Sequence, residues 1–287
     1  MRLINFSDFG ADCPPRPSWE DYKASVSQSW RALATSSQDN ERVLQDFLEN
    51  HPCLVPGAFS TVGAVRSGHY PRPHAVFRQP VLSGLQTRRP DFMWLAIDSS
   101  TISPVLVEIE VPAKRWFRQD GKPHHELTAA QDQLAEWKVW FSEPANQAVF
   151  RDYYRIPDTL WRRNAFEPVY VLVHGSRDEF RNDDALNKKR RRLARDHEYL
   201  ITFDHLTPEK DADGMLCVEA NQAGVFNAVI WPARARLAGI HDEWRKIQGI
   251  PDAIASSKHI TDERRACLLA AFPQWQAWIE SQNDPGF

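Results

Sequence analysis

The sequence predicts a mixed α/β domain, on three observations. Segments with apolar residues at helical spacing alternate with short runs rich in β-branched and aromatic residues, and Gly, Pro, Asp and Ser mark the joints between them. The resulting order of helix, strands, helix, strand, helix and strand is that of a sheet covered by helices.

The lead-in, to about residue 36, carries Pro14, Pro15 and Pro17 and then SWEDYKASVSQSWRALA, where Tyr22, Val26, Trp30 and Leu33 recur at helical spacing. NERVLQDFLENHP predicts a second helix with the stripe Val43, Leu44, Phe47 and Leu48, closed by Pro52, with Glu41 near the stripe's edge. Residues 53 to 74 read as loop with one short strand. HAVFRQPVL reads as a strand interrupted at Pro80. Asp91 opens DFMWLAI, a strand apolar enough for burial on both faces. Asp98, Ser99 and Ser100 then turn the chain into VLVEIEVP (105 to 112), its expected antiparallel neighbour.

AKRWFRQDGKPHH reads as a loop, and ELTAAQDQLAEWKVWF as a helix with Leu127, Leu134, Trp137 and Trp140 on or near one stripe. A polar, aromatic connection to about residue 166 leads to the buried strand PVYVLVHG, the helix DDALNKKRRRLARDH and the strand YLITFDHL. After residue 207 the pattern weakens. VEANQAGVFNAVIWP holds a strand or hairpin, and ERRACLLAAFPQWQAWIES one or two helices around Pro273.

The 287 residues can bury a large core, and a formal charge of -3 gives no global pull towards nucleic acid or anionic membrane, so any nucleic-acid surface is local. Neither a membrane-spanning apolar run nor a secretory leader is visible, which predicts a cytoplasmic protein. The four cysteines, Cys13, Cys53, Cys217 and Cys267, contain no C-x-x-C pair and are expected to be reduced and packed.

The chemistry centres on VLVEIEVP. Alternation puts Val105, Val107, Ile109 and Val111 on one strand face and Leu106, Glu108 and Glu110 on the other. Two acids on one face either meet solvent or basic partners such as Lys114 and Arg115, or join Asp91 in holding a hard divalent cation such as Mg²⁺. Spacing leaves both readings open.

The series RRPDF, VLVEIEVP and KRWFRQDGKPHHELTAAQDQLAEW resembles the PD-(D/E)XK nuclease core of the Shedu family of bacterial anti-phage defence proteins. The likeness extends from ERVLQDFLENHP to VYVLVHGSRDEF and YLITFDHL, roughly residues 38 to 206. It implies a restriction-endonuclease-like mixed sheet flanked by helices, between a lead-in (1 to 37) and a C-terminal extension (207 to 287) that serves as an oligomer contact or regulatory module. It implies Mg²⁺ or Mn²⁺ as cofactor, DNA as substrate and a homo-oligomer.

Carried over by residue, the resemblance assigns Asp91 and Glu108 to the metal, with Glu41 of the leading helix as a further ligand. Glu110 falls where the family usually has lysine, so the strand reads E-x-E. Lysine there would orient water and stabilise negative charge, whereas glutamate binds metal or accepts a proton. Lys114, four residues on, is the candidate replacement cation, and Gln133 matches the glutamine of A-x-x-Q. Arg88 and Arg89 are candidates for neutralising phosphate, as is the run Lys188, Lys189, Arg190, Arg191 and Arg192. A solvated face is the ordinary reading of such a run. Trp116, Trp137 and Trp140 either stack on bases or pack in the core. Three readings follow: a metal-dependent DNA endonuclease, a weakened site serving a nucleic-acid-binding or phage-sensing module, or a non-nuclease α/β domain whose acids are merely polar surface.

Overall fold

The computed structural model describes residues 8–37, 39–59, 70–84, 89–221 and 223–281. A nine-stranded mixed sheet organises them: β1 (Arg72–Arg78), β2 (Phe92–Ile97), β3 (Thr101–Ile109), β4 (Ala165–Phe166), β5 (Val169–Val173), β6 (Glu198–Ile201), β7 (Leu216–Ala220), β8 (Phe226–Ile230) and β9 (Ile247–Gln248). The spatial order is β6-β5-β3-β2-β1-β7-β8-β9, with β4 pairing β3. β2 runs antiparallel to both neighbours, joined to β3 through Asp98–Ser100 as expected, while β3, β5 and β6 are mutually parallel.

Strand alternation divides the core into two layers. Val105, Val107 and Ile109 of β3, with Phe92 and Trp94 of β2, face α1 (Trp19–Ser36) and α2 (Glu41–Asn50) through Tyr22, Val26, Trp30, Leu44 and Leu48. Leu106, Met93 and Leu95 face the opposite layer. That layer contains α3 (His125–Ser142), α4 (Pro144–Tyr153), α5 (Asp158–Arg163), α7 (Ile250–Ser256) and α8 (Asp262–Ser281). The remaining helix, α6 (Asp184–Arg191), lies on the surface with no buried residue.

Several details differ from the sequence expectations. The connection before residue 166 contains α4, α5 and β4, whose short apolar patterns are interrupted by charge. Pro273 does not divide the terminal segment, because α8 runs through it as one helix. The expectation of four reduced cysteines is corrected: Cys13 and Cys267 form a disulfide, while Cys53 and Cys217 are free and buried. The pair is 254 residues apart in sequence, so no local spacing announces it. Residues 207 to 287 contribute β7, β8 and β9 to the same sheet, β7 pairing β1 in parallel. No described helix is long and apolar enough to cross a membrane.

Gly175 fixes the loop after β3. Its φ of +61° lies in the left-handed region, and a Cβ there would stand 2.5 Å from the Lys114 carbonyl and 2.8 Å from Trp116 Nε1. Replacing Gly175 with Ala adds backbone strain to a backbone clash, so G175A is expected to cost on the order of 1–3 kcal/mol or more. Urea unfolding of both proteins measures this, and an unchanged midpoint contradicts it.

Candidate metal and catalytic site

The edge of the β2–β3 ladder sets the site. The ladder pairs Phe92 with Val107, so the next step outward sets Asp91 opposite Glu108. Directly opposed residues of this kind hold their Cβ atoms about 4.5–5.5 Å apart. Glu108 and Glu110 are both buried. The reading in which these acids face solvent is therefore corrected: α3 and the loop after β3 cover that face.

Each acid is held by a specific donor. Asp91 Oδ2 accepts the Ile109 N–H at 2.7 Å, and Oδ1 accepts from Gln45 Nε2. Gln133 Nε2 donates to Glu108 Oε1 at 2.5 Å, whereas Glu108 Oε2 is buried and makes no hydrogen bond. Such an atom costs free energy unless something fills its place.

Two helices deliver these donors. Leu44 and Leu48 anchor α2 on one sheet face, which turns the row Glu41, Gln45 and Glu49, spaced by four residues, towards the strand ends. Gln45 Nε2 also contacts Glu41 Oε1 at 3.3 Å. On the other face, Leu127, Leu134 and Trp137 anchor α3 and place Gln133 beside Glu108. Gln45 was not among the residues expected here; its signal was the i, i+4 relation to Glu41.

Asp91, Glu108 and Glu41 all have raised pKa values. Burial is the largest cause at Asp91, which Glu41, Glu110 and Glu49 raise further and the Ile109 N–H opposes. Burial likewise leads at Glu108, followed by Asp91, Glu110 and Glu41, with Gln133 opposing. Glu41 is raised by burial and by Glu110, and lowered by Lys114. Lys114 Nζ reaches back to Glu110 Oε2, an i, i+4 pair across the end of β3. Of the readings the sequence left open for Glu110, the structure thus shows the one with a basic partner, Lys114.

The loop carrying Lys114 is braced. Trp116 Nε1 donates to the His174 carbonyl at 2.9 Å, and the Glu179 carboxylate accepts the Trp116 and Phe117 N–H groups, each at 2.9 Å. Behind Asp91, Arg78 of β1 bridges Glu49 at 2.9 Å and Glu219 of β7 at 2.6 Å. Through this bridge the C-terminal strands support the acid end of the sheet. Neither Glu49 nor Arg78 stood out in the sequence, because their partners lie on distant elements.

The structure therefore gathers Asp91, Glu108, Glu110, Gln133, Lys114 and Glu41, but it does not gather every expected residue. Arg89 is exposed and lies near Tyr153 and Tyr154, whose pKa values burial raises and the Arg89 charge partly opposes. Arg88 falls outside the described residues. On α6, Lys188 is exposed, but Lys189 bonds the Gly121 carbonyl. Arg190 is half-buried, 5.4 and 5.1 Å from the Trp116 and Phe180 rings. Part of the basic run thus fastens α6 to the loop after β3. Trp116, Trp137 and Trp140 are buried, which decides for core packing over base stacking.

The donor set fits a hard cation held by few protein ligands. Carboxylate oxygens suit Mg²⁺ or Mn²⁺, which bind through one or two carboxylates and keep several waters. Among the described residues, Asp91, Glu108 and Glu41 do not offer three ligand atoms within 4.8 Å of one another. The expected three-acid cage is therefore not formed among the described residues, and Glu41 acts on Asp91 and Glu108 through its charge.

Sheet order and flanking helices define a restriction-endonuclease-like α/β protein. The family model described as Shedu protein SduA, C-terminal, matches residues 38–207, more than half of the chain, and the protein belongs to that family, one of anti-phage defence. No curated protein matches the chain.

A carboxyl whose pKa is raised on folding stabilises the protein below its unfolded pKa and loses that stability as pH rises through the folded value. Without divalent metal, Glu108→Gln is therefore expected to melt higher than the parent at pH 8, the gap shrinking towards pH 5. Melting curves of both proteins across that range check this, and a parent more stable than Glu108→Gln at pH 8 contradicts it.

Proposed function

We propose that the protein is a divalent-metal-dependent DNA endonuclease that nicks or cleaves phosphodiester bonds in anti-phage defence. The observation that carries this reading is the opposed pair Asp91 and Glu108, with Glu108 Oε2 buried and without a hydrogen bond. When bound, Mg²⁺ or Mn²⁺ polarises a phosphoryl oxygen and lowers the pKa of a coordinated water.

The side chains do the rest. Gln133 fixes Glu108 through Oε1 and leaves Oε2 to ligate. Gln45 and the Ile109 N–H hold Asp91. Lys114 places its ammonium beside Glu110, where it stabilises negative charge developing on phosphate, and Glu110 orients the lysine and accepts a proton from water. The E-x-E strand is then a relocated version of the E-x-K arrangement. DNA approaches the open end of the β2–β3 ladder.

Incubation of the purified protein with supercoiled plasmid tests the reading. Nicking is expected with Mg²⁺ or Mn²⁺ and not with EDTA. Glu108→Ala is expected to lower the rate by at least about 10²-fold, and Lys114→Met by about 10²-fold, mainly in kcat. Nicking that persists in EDTA, or undiminished in Glu108→Ala, contradicts the proposal. DNA binding without cleavage by the parent protein favours a binding or sensing module on the same fold.

A further inference from the structure

A second constellation of metal-ligating side chains stands apart from the Asp91–Glu108 pair. His124, His125 and Glu126 bring one ligand atom each within 4.8 Å of one another. They sit where the loop after β3 enters α3, with His124 as N-cap and Glu126 in the first turn. The His124 and His125 ring centroids are 4.3 Å apart. Neither histidine nor Glu126 appears among the charges that raise the Asp91 and Glu108 pKa values.

His124 Nδ1 and Glu126 Oε2 stand 3.0 Å apart, an ion pair when the imidazole is protonated, and a metal ion taking that proton's place would have both atoms as ligands. Donors bound tetrahedrally at about 2.0–2.2 Å from one ion stand about 3.3–3.5 Å apart, so these two atoms need only a small displacement to share one. His125 is exposed, which leaves the third donor free to swing in and the remaining positions open to water.

His124 is also held in place by its backbone. Its N–H donates to the Trp116 carbonyl at 2.8 Å, its carbonyl accepts the Thr128 N–H at 3.1 Å, and Phe117 and Pro123 bridge the hairpin just before it. The local field argues partly against a cation, since the amino end of α3 is its positive end. That field opposes any divalent cation equally, so the selectivity comes from the ligands: imidazole nitrogens suit Zn²⁺ and not Mg²⁺.

We infer that His124, His125 and Glu126 form a second metal site, selective for a borderline transition-metal ion of the Zn²⁺ class over Mg²⁺. Binding there ties the hairpin that follows Lys114 to the helix that carries Gln133. The site is independent of the nuclease reading, because none of its ligands belongs to the carboxylate end of the sheet.

Competition between the full-length, metal-stripped protein and a chromophoric chelator tests this, with Zn²⁺ titrated in millimolar Mg²⁺. One Zn²⁺ per chain is expected. His125→Ala, at an exposed position, and Glu126→Gln are each expected to weaken binding at least tenfold, and Asp91→Asn to leave it unchanged. X-ray absorption of the Zn²⁺ complex is expected to show imidazole ligation. No Zn²⁺ uptake, or uptake unaffected by both His125→Ala and Glu126→Gln, overturns the inference. Uptake abolished by Asp91→Asn overturns it too, because the ion then sits between the carboxylates.

Discussion

Two acids facing each other across the end of a buried ladder are the constraint on which the rest of the structure depends. Asp91 and Glu108 are placed by the β2–β3 register, and that register cannot slip by one residue without exchanging the α2 face of the sheet for the α3 face. The apolar residues that fix it, Phe92, Trp94, Val105 and Val107 on one side and Met93, Leu95 and Leu106 on the other, are thus also the residues that hold the acids together. A buried, unpaired charge costs several kcal/mol. The protein offsets part of this with Gln45, Gln133 and the Ile109 N–H, and leaves Glu108 Oε2 unmet.

Elements far apart in the chain converge on that end of the sheet. The lead-in helix α1 packs beside α2, with Trp30 stacked on Phe203 at 5.9 Å, and α2 supplies Glu41 and Gln45. The loop after β3 returns Lys114 to Glu110 because Gly175, His174 and Glu179 pin its course. The C-terminal strands reach the same region through Glu219 and Arg78. The family match stops at residue 207, but the sheet continues through β7, β8 and β9.

Much of this was legible in the sequence wherever the signal was local. DFMWLAI and VLVEIEVP announced two adjacent strands, the turn at Asp98–Ser100 made them antiparallel, and the stripe of α3 placed Gln133 on a helix that covers them. The burial of Glu108 and Glu110 was not legible, because alternation assigns a face but not what covers it. Arg78 and Glu49 escaped for the same reason: their partners are set by tertiary packing. The Cys13–Cys267 disulfide has no local trace either. The basic run at 188 to 192 was visible as charge, but the use of Lys189 and Arg190 against Gly121, Trp116 and Phe180 depends on where α6 lands.

We propose that the opposed acids share a divalent ion. Anomalous diffraction from crystals soaked in Mn²⁺ tests it most directly. The account predicts a peak bound by one oxygen each from Asp91 and Glu108, the latter through Oε2, with water completing the shell. Density that leaves the two carboxylates unbridged at millimolar Mn²⁺, or an ion held elsewhere while they share a proton, contradicts it.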